Sequence, residues 1–393
     1  MCSMRSDEMV AIQSHERRFG TTGHVFAAPA RVNLIGEHTD YTGGFVMPMA
    51  IDFATVAVIS ERSDGSAVFY SENFEEEVSF ELARFDWSPR GHWTDYPLGV
   101  LWSLREAGVV VSGFSMSLSG NVPVGAGLSS SASVEVAAAM ALLNLAGVSM
   151  PLPKIATLCR RAENEYVGAK SGIMDQFVVA GAVAHRAMML DCRSLEFELL
   201  PLPDAVRVVI CNSMVSHDVA GGEYGDRSDE VAAGQEVLRR ERPGIELLRD
   251  ATLEDLEACR GKMIAASFAR CKHIITENAR VLAAREALLG GDMKRFGALM
   301  VEAHASMRDD FAASCEEVDA LVEIAVRQPG CFGARITGGG FGGCTVNIVS
   351  AERTGEFVEA VRREYKAKIG IDAQCFVSAP SDGALAMAKG GTA

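Results

Sequence analysis

The sequence predicts an α+β protein of two domains, strand-rich first and helix-rich after. Three observations carry that prediction. The chain has 393 residues, room for two or three domains at roughly 150 residues each. Apolar residues make up 48% of it and charged residues 23%, a globular balance with enough apolar side chains for sizeable cores. The texture changes near 185–205, from short β-branched runs to long helical periodicities. On that change we expect domains at 1–185 and 186–393.

The elements follow in order. Segments 53–60, 66–71 and 76–81 are rich in β-branched and aromatic residues with turn-formers between them, the signature of strands. Leu98, Leu101, Trp102 and Leu104 form one side of a helix over 95–107. Phe114, Met116 and Leu118 alternate as in a half-buried strand over 113–119. Helical patterns occupy 131–147, 152–167 and 174–182. Segments 187–191 and 206–211 read as strands, with the Leu/Pro stretch 199–203 between them. Further helices are expected at 227–241, 263–289, 292–307 and 316–327. A glycine-rich segment at 338–343 then leads into a strand over 344–349 and a helix over 352–367. There is no internal repeat.

Charge and cysteine usage exclude some functions. With 37 Lys+Arg against 52 Asp+Glu the net charge is −15, which argues against a nucleic-acid partner. An anionic substrate must therefore be met by a few placed cations or backbone amides. The ten cysteines show no C-x-x-C pair and no zinc spacing. Cys159, Cys192, Cys211, Cys271 and Cys344 lie in apolar stretches and read as buried free thiols, suited to a reducing compartment. The first twenty residues lack an apolar signal region, and no apolar run reaches membrane-spanning length. A cytoplasmic monomer without a membrane partner is the expectation.

Three segments carry chemistry. In Gly125-Ala126-Gly127-Leu128-Ser129-Ser130-Ser131 a glycine turn runs into a helix start. Unpaired N–H groups and the positive end of the helix dipole there suit phosphate. The plain alternative is that the serines cap the helix. Walker A and protein-kinase motifs are both missing from the chain. Near the N-terminus, Arg31, Glu37, His38, Thr39 and Asp40 crowd a Gly-bounded loop between apolar segments. Carboxylates and imidazole so placed suit a polyhydroxylated ligand, a surface ion pair being the alternative. Finally, Gly338 to Gly343 matches G-x-G-x-x-G, but a β-like run follows instead of a helix, so a dinucleotide site is rejected. Five glycines in six positions imply a backbone brought close to a ligand or to another chain segment.

Together these segments resemble the three signature motifs of the GHMP kinases, from about residue 23 to 380, and RVNLIGEHTDYTGG is similar to the galactokinase signature in particular. The resemblance extends to SGIMDQF at 171–177, SMRDDF at 306–311 and TGGGFGGCTV at 337–346. It implies a two-domain GHMP kinase fold with the active site in the cleft between domains, and ATP-dependent phosphorylation of galactose at its anomeric hydroxyl. Gly125 to Ser131 would wrap the ATP phosphates, while Ser131 and Glu163 would hold Mg²⁺. Glu37, His38, Thr39, Asp40 and Tyr224 would bind the sugar. Asp175 would face the anomeric hydroxyl as base, with Arg31 between it and the moving phosphoryl group. Composition and periodicity alone single out neither Glu163, Asp175 nor Tyr224.

Departures from the family pattern occur at Ala30, in place of the usual Gly, and around Tyr224, which lies in GGEYGDRS. A kinase for N-acetylgalactosamine, arabinose or galacturonate, or a catalytically silent sugar sensor, are the alternatives. A carboxylate held by an arginine is a weak base, so the expectation is that Asp175 takes its proton late.

Overall fold

The fold is built on two antiparallel-dominated sheets that share apolar contacts, seen in a computed structural model describing residues 6–84, 86–123, 125–216 and 223–390. The first sheet has the order β1-β3-β6-β4-β5, formed by His24–Asn33, Pro48–Arg62, Gly113–Gly120, Ser66–Ser71 and Glu76–Glu81 respectively. All its neighbours are antiparallel except β4 and β6, which run parallel. Helices α2 (Asp95–Glu106), α3 (Ser130–Leu145), α4 (Leu152–Arg161) and α5 (Met174–Gly181) follow and share its core, with Phe69, Phe114, Val136, Leu142 and Phe177 inside.

The second sheet has the order β10-β11-β9-β12, formed by Cys331–Thr337, Gly342–Ser350, Val206–Ser216 and Gln374–Ser378. Around it lie α6 (Glu223–Glu241), α7 (Leu253–Ala258), α8 (Ala265–Leu289), α9 (Met293–Asp309), α10 (Glu316–Arg327) and α11 (Thr354–Ile369). A small third sheet pairs β2 (Phe45–Val46) with β7 (Arg186–Asp191) and β7 with β8 (Phe197–Pro201). One apolar cluster spans both halves: Val32, Leu34 and Met49 from the first pack with Ile210, Phe296 and Val346 from the second. The last helix, α12 (Ala384–Gly390), returns to β1 and α5. Among the described residues no helix is long and apolar enough to cross a membrane.

The expected elements are present, with instructive additions. An N-terminal helix, α1 (Ser6–Phe19), precedes the strands. β1 escaped the pattern because it is buried on both faces over most of its length, so it does not alternate. Its Pro29 adjoins a register shift between Pro29 and Ala30, in a strand at the sheet edge, where a missing N–H is tolerated. The stretch 199–203 contributes to β8, and β10 and β12 were hidden by glycine and by brevity. The helix expected over 152–167 is α-helical only to Arg161; Ala162–Val167 is a π-helical turn.

Packing between α9 and β10 is backbone against backbone. A Cβ on Gly297 would sit 1.9 Å from the Phe332 carbonyl oxygen. Helix propensity alone favours alanine over glycine by about 1 kcal/mol, but overpacking of this kind costs roughly 1–3 kcal/mol or more. Sterics should win: Gly297→Ala is expected to lower the urea midpoint, whereas Gly355→Ala in α11, where a Cβ meets nothing within 4 Å, should hold or raise it. Equal midpoints for the two variants would contradict the close approach.

Candidate active site

Arg31 leaves the buried end of β1 where the two halves meet, and the first turn of α5 presents Asp175 to it. Arg31 Nε donates to Asp175 Oδ1 at 2.7 Å and Nη2 donates to Oδ2 at 2.8 Å, a two-point ion pair. Nη1 donates to the Gly127 carbonyl at 2.6 Å. Burial opposes the Arg31 charge, but the charge and hydrogen bonds of Asp175 outweigh it, and the guanidinium pKa rises. The clamp therefore joins β1, α5 and the 125–131 loop in one contact.

That loop is shaped by left-handed backbone at Gly125 (φ 73°) and Gly127 (φ 75°). Ser129 also adopts φ 58° and ψ 51°, uncommon for a residue with a Cβ. Its hydroxyl does not cap α3; it donates to Asp175 Oδ2. The capping alternative thus fails for Ser129. Ser130 and Ser131 are the first residues of α3, whose free N–H groups open beside the clamp. Behind the loop packs the glycine-rich turn. A Cβ on Gly338 would lie 2.9 Å from Gly127 O, and one on Gly343 would lie 3.1 Å from Ala126 O. These glycines accommodate another chain segment, the loop itself.

The 36–44 loop is held from outside by α8. Glu277 Oε1 accepts from the Gly36 N–H at 2.8 Å, and Asn278 Oδ1 accepts from the Phe45 N–H at 2.8 Å. His273 Nε2 donates to the Glu37 carbonyl at 3.2 Å. Glu37 Oε1 accepts from the Gly338 N–H at 2.9 Å and from Arg335 Nη1 at 3.2 Å. Arg335 is fully buried, and its Nε and Nη2 have no partner among the described residues. His38 donates from Nε2 to the Gly339 carbonyl at 3.2 Å and stacks on Phe311 with ring centroids 4.2 Å apart. Burial, then the neighbouring His273, lowers its pKa to about 3, so the ring is neutral.

Asp40 is the titratable member of the loop. Burial first, then the Asp175 charge, raises its pKa to about 6. Its carboxylate rests against Gly172, where a Cβ would come within 1.8 Å of Asp40 Oδ2. Thr39 requires a correction. It is fully buried and its hydroxyl is engaged with the Gly36 and Phe45 carbonyls at 2.9 and 2.6 Å, so it braces the loop and is not placed to meet a ligand. Tyr224 belongs to the first turn of α6, but its side chain lies outside the described residues.

Glu163 sits in the π-helical turn, a widening that often accompanies functional residues. Its Oε2 accepts from Ser171 Oγ at 2.5 Å and from Gln176 Nε2 at 2.9 Å. Gln176 Nε2 also donates to Glu135 Oε2 at 3.0 Å. Glu135 is fully buried, and burial followed by the Glu163 charge holds its pKa well above the carboxylate range. No described residue donates to Glu163 Oε1, leaving an oxygen for a hard cation. Among the described residues no cluster of three or more His, Cys, Asp or Glu could hold a metal ion, so a cation here needs phosphate oxygens or water to complete its shell.

Sequence reading did not single out Ser129 as a partner of Asp175, nor give Arg335, Glu277, Gln176 or Glu135 a role. Gln176 lies inside SGIMDQF and Arg335 begins the glycine-rich segment, but both look like ordinary polar positions until their burial is known.

Comparison with known proteins places these features in one family. Family models match as the galactokinase galactose-binding signature over residues 13–61, the GHMP kinase N-terminal domain over 95–182 and the GHMP kinase C-terminal domain over 284–367. A galactokinase of Chloroflexus aggregans is 40% identical over 92% of this chain and 93% of its own length. One from Halalkalibacterium halodurans is 39% identical over 92% of each. The crystal structure of Lactococcus lactis galactokinase complexed with galactose superposes with a TM-score of 0.92 at 32% identity, covering 95% of this chain and 98% of that one. Methanococcus jannaschii mevalonate kinase, at 19% identity and a TM-score of 0.66, shares the fold. The chain belongs to the galactokinase family of GHMP kinases.

Proposed function

We propose that this protein transfers the γ-phosphoryl group of ATP to the anomeric hydroxyl of D-galactose, giving galactose 1-phosphate and ADP, the first step of galactose catabolism. The observation that carries the reading is the Arg31–Asp175 clamp, tied to the Gly127 carbonyl at the mouth of a phosphate-type loop. Residues 1–185 and 186–393 act as two domains around that cleft, and the protein works as a cytoplasmic monomer.

Phosphoryl transfer needs alignment and charge neutralisation more than covalent help. Glu37, through the oxygen that Gly338 and Arg335 leave free, His38, Asp40 and Tyr224 hold the sugar. With its Nε2–H given to the Gly339 carbonyl, neutral His38 offers Nδ1 as an acceptor in place of its contact with Tyr41 Oη, while ionised Asp40 accepts from hydroxyls. Both oxygens of Asp175 are engaged by Arg31 and Ser129, so it orients the anomeric hydroxyl first. It takes the proton once the new O–P bond is forming. Arg31 stabilises charge on the phosphoryl group, and Gly125 to Ser131 hold the phosphates. Ser131 and Glu163 are the residues for Mg²⁺, which when bound neutralises phosphate charge. Gln176, braced by Glu135, fixes the Glu163 carboxylate.

The deciding experiment is turnover across a panel of monosaccharides. Galactose should give the highest kcat/KM. Glucose should fall far below it, because a misplaced axial hydroxyl leaves site groups unpaired at a cost of up to roughly 10⁴–10⁵-fold. A higher value for N-acetylgalactosamine, arabinose or galacturonate would overturn the substrate while leaving the kinase class, and no ATP consumption with any sugar would favour a silent sensor.

Asp175→Asn keeps the shape of the side chain but loses the charge. We expect galactose and ATP to bind nearly as before while kcat drops by about 10²–10⁴-fold. Arg31→Lys should retain more activity than Arg31→Ala, yet stay impaired, because lysine lacks the planar fork. Recovery of Asp175→Asn at high pH would show that early deprotonation is the main task of Asp175.

For the metal, Ser131→Ala, Glu163→Gln and Gln176→Leu should each raise the free Mg²⁺ needed for half-maximal turnover. Galactose affinity, read by calorimetry, should hardly move. Lost galactose binding with a normal Mg²⁺ response would remove these residues from the metal site.

A further inference from the structure

The second sheet carries a chemical feature that phosphoryl transfer does not use. Cys211 on β9 and Cys375 on β12 are direct cross-strand partners in the antiparallel register. Their Sγ atoms lie 3.4 Å apart. Cys211 is buried, held by Asn347 Nδ2, which donates to its sulfur at 3.5 Å. Cys375 is only partly buried, and β12 is an edge strand, paired on one side alone. The pair thus sets a buried cysteine against a partly buried one on the exposed edge of the sheet.

Geometry permits a bond between them. Directly opposed residues of antiparallel strands have Cα atoms about 4.5–5.5 Å apart, inside the range of about 4.4–6.8 Å that disulfides span. Closing the sulfurs to a bonded length of about 2.05 Å needs side-chain rotation, with no strand displacement. The chemistry is also polarised. The Cys375 thiol pKa is lowered, first by its hydrogen bond with Cys211 and also by Arg362, while Cys211 is held well above the thiol range. A partly buried cysteine on an edge strand beside a fully buried partner is the arrangement of an attacking and a resolving cysteine.

We propose that Cys211 and Cys375 form a reversible dithiol–disulfide site that reacts with low-molecular-weight disulfides and staples the edge strand β12 to β9. The Cys375 thiolate attacks one sulfur of the small disulfide, breaking its S–S bond and releasing one thiolate. Cys211 then gives up its proton and attacks the Cys375 sulfur, expelling the second thiolate. The protein loses two hydrogens and the small disulfide is reduced to two thiols.

The staple acts on a part of the chain that links the halves. Just past β12, Ser381 donates from its N–H to Ala50 O at 3.1 Å and from Oγ to Ile51 O at 2.9 Å. The Gly383 N–H donates to Ala182 O at 2.8 Å before α12 packs on β1 and α5. Cys211 clusters with Val209, Phe357 and Tyr365 beneath α10 and α11, whereas Ile210 and Val208 belong to the cluster that joins the two halves. The bond therefore forms on the sheet face turned away from Arg31 and Asp175.

The test is incubation of the native protein with excess glutathione disulfide, followed by intact mass measurement and non-reducing peptide mapping. The expected product has lost two hydrogens and carries a Cys211–Cys375 cross-link that dithiothreitol removes. Cys211→Ser and Cys375→Ser should each prevent it, and Cys211→Ser should instead accumulate a glutathione adduct on Cys375. Because the loop closed by the bond is long, Tm should rise by about 5 °C in the oxidised form. A stable glutathione adduct on Cys375 of the unaltered protein, a cross-link through any other cysteine, or no reaction without denaturant would each overturn the site. An unchanged or lower Tm in the cross-linked form would overturn the stapling.

Discussion

The clamp between Arg31 and Asp175 is the contact on which the rest of the site depends. It joins strand β1 to a loop 96 residues further along the chain and to a helix 144 residues further, through three hydrogen bonds from one guanidinium. Such a pair sits in little water, with side-chain exposures of 6% and 23%. Taking away one partner of a buried pair strands the other charge, at a typical cost of about 3–5 kcal/mol. In the proposed reaction the same geometry that would orient the nucleophile also ties the 125–131 loop to the core.

Around the clamp, residues of the second half hold loops that belong to the first. Glu277, Asn278 and His273 on α8 fix the 36–44 loop from behind, while Gly338 and Gly343 let β10 and β11 close on the 125–131 loop without side chains between. Loops that carry functional groups need such external fixing, because they have no ladder of their own.

Some of these supports are costly in folding terms. Arg335 is buried with two donor nitrogens unpaired among the described residues, and Glu135 is a buried carboxyl whose partner is a neutral amide. Unpaired buried polar atoms cost about 1–3 kcal/mol each. Both residues touch groups that meet substrate or cation in the proposed site, Arg335 through Glu37 and Glu135 through Gln176 and Glu163. Their retention in the interior is best explained by the positions they impose, since packing alone would favour apolar side chains there.

Much of this protein was legible before any coordinate. β-branched and aromatic enrichment located the strands at 66–71 and 76–81, and periodicity located the helix at 316–327, whose two faces differ in burial. Motif resemblance named Arg31, Asp175, Asp40 and Glu163. What periodicity could not show were β1, which is buried on both faces and so does not alternate, and the π-helical turn at Ala162–Val167, whose sequence continues a helix without a break. Nor could it show that Thr39 turns inward, that the Ser129 hydroxyl meets Asp175 instead of capping α3, or that Cys211 faces Cys375 across 164 residues. These depend on which segments meet in space. The sequence by itself determined the elements and the chemical groups, which are local properties of composition and spacing. Only tertiary packing decided partners and burial, because a side chain's hydrogen bonds and charge state are set by whatever distant segment closes over it.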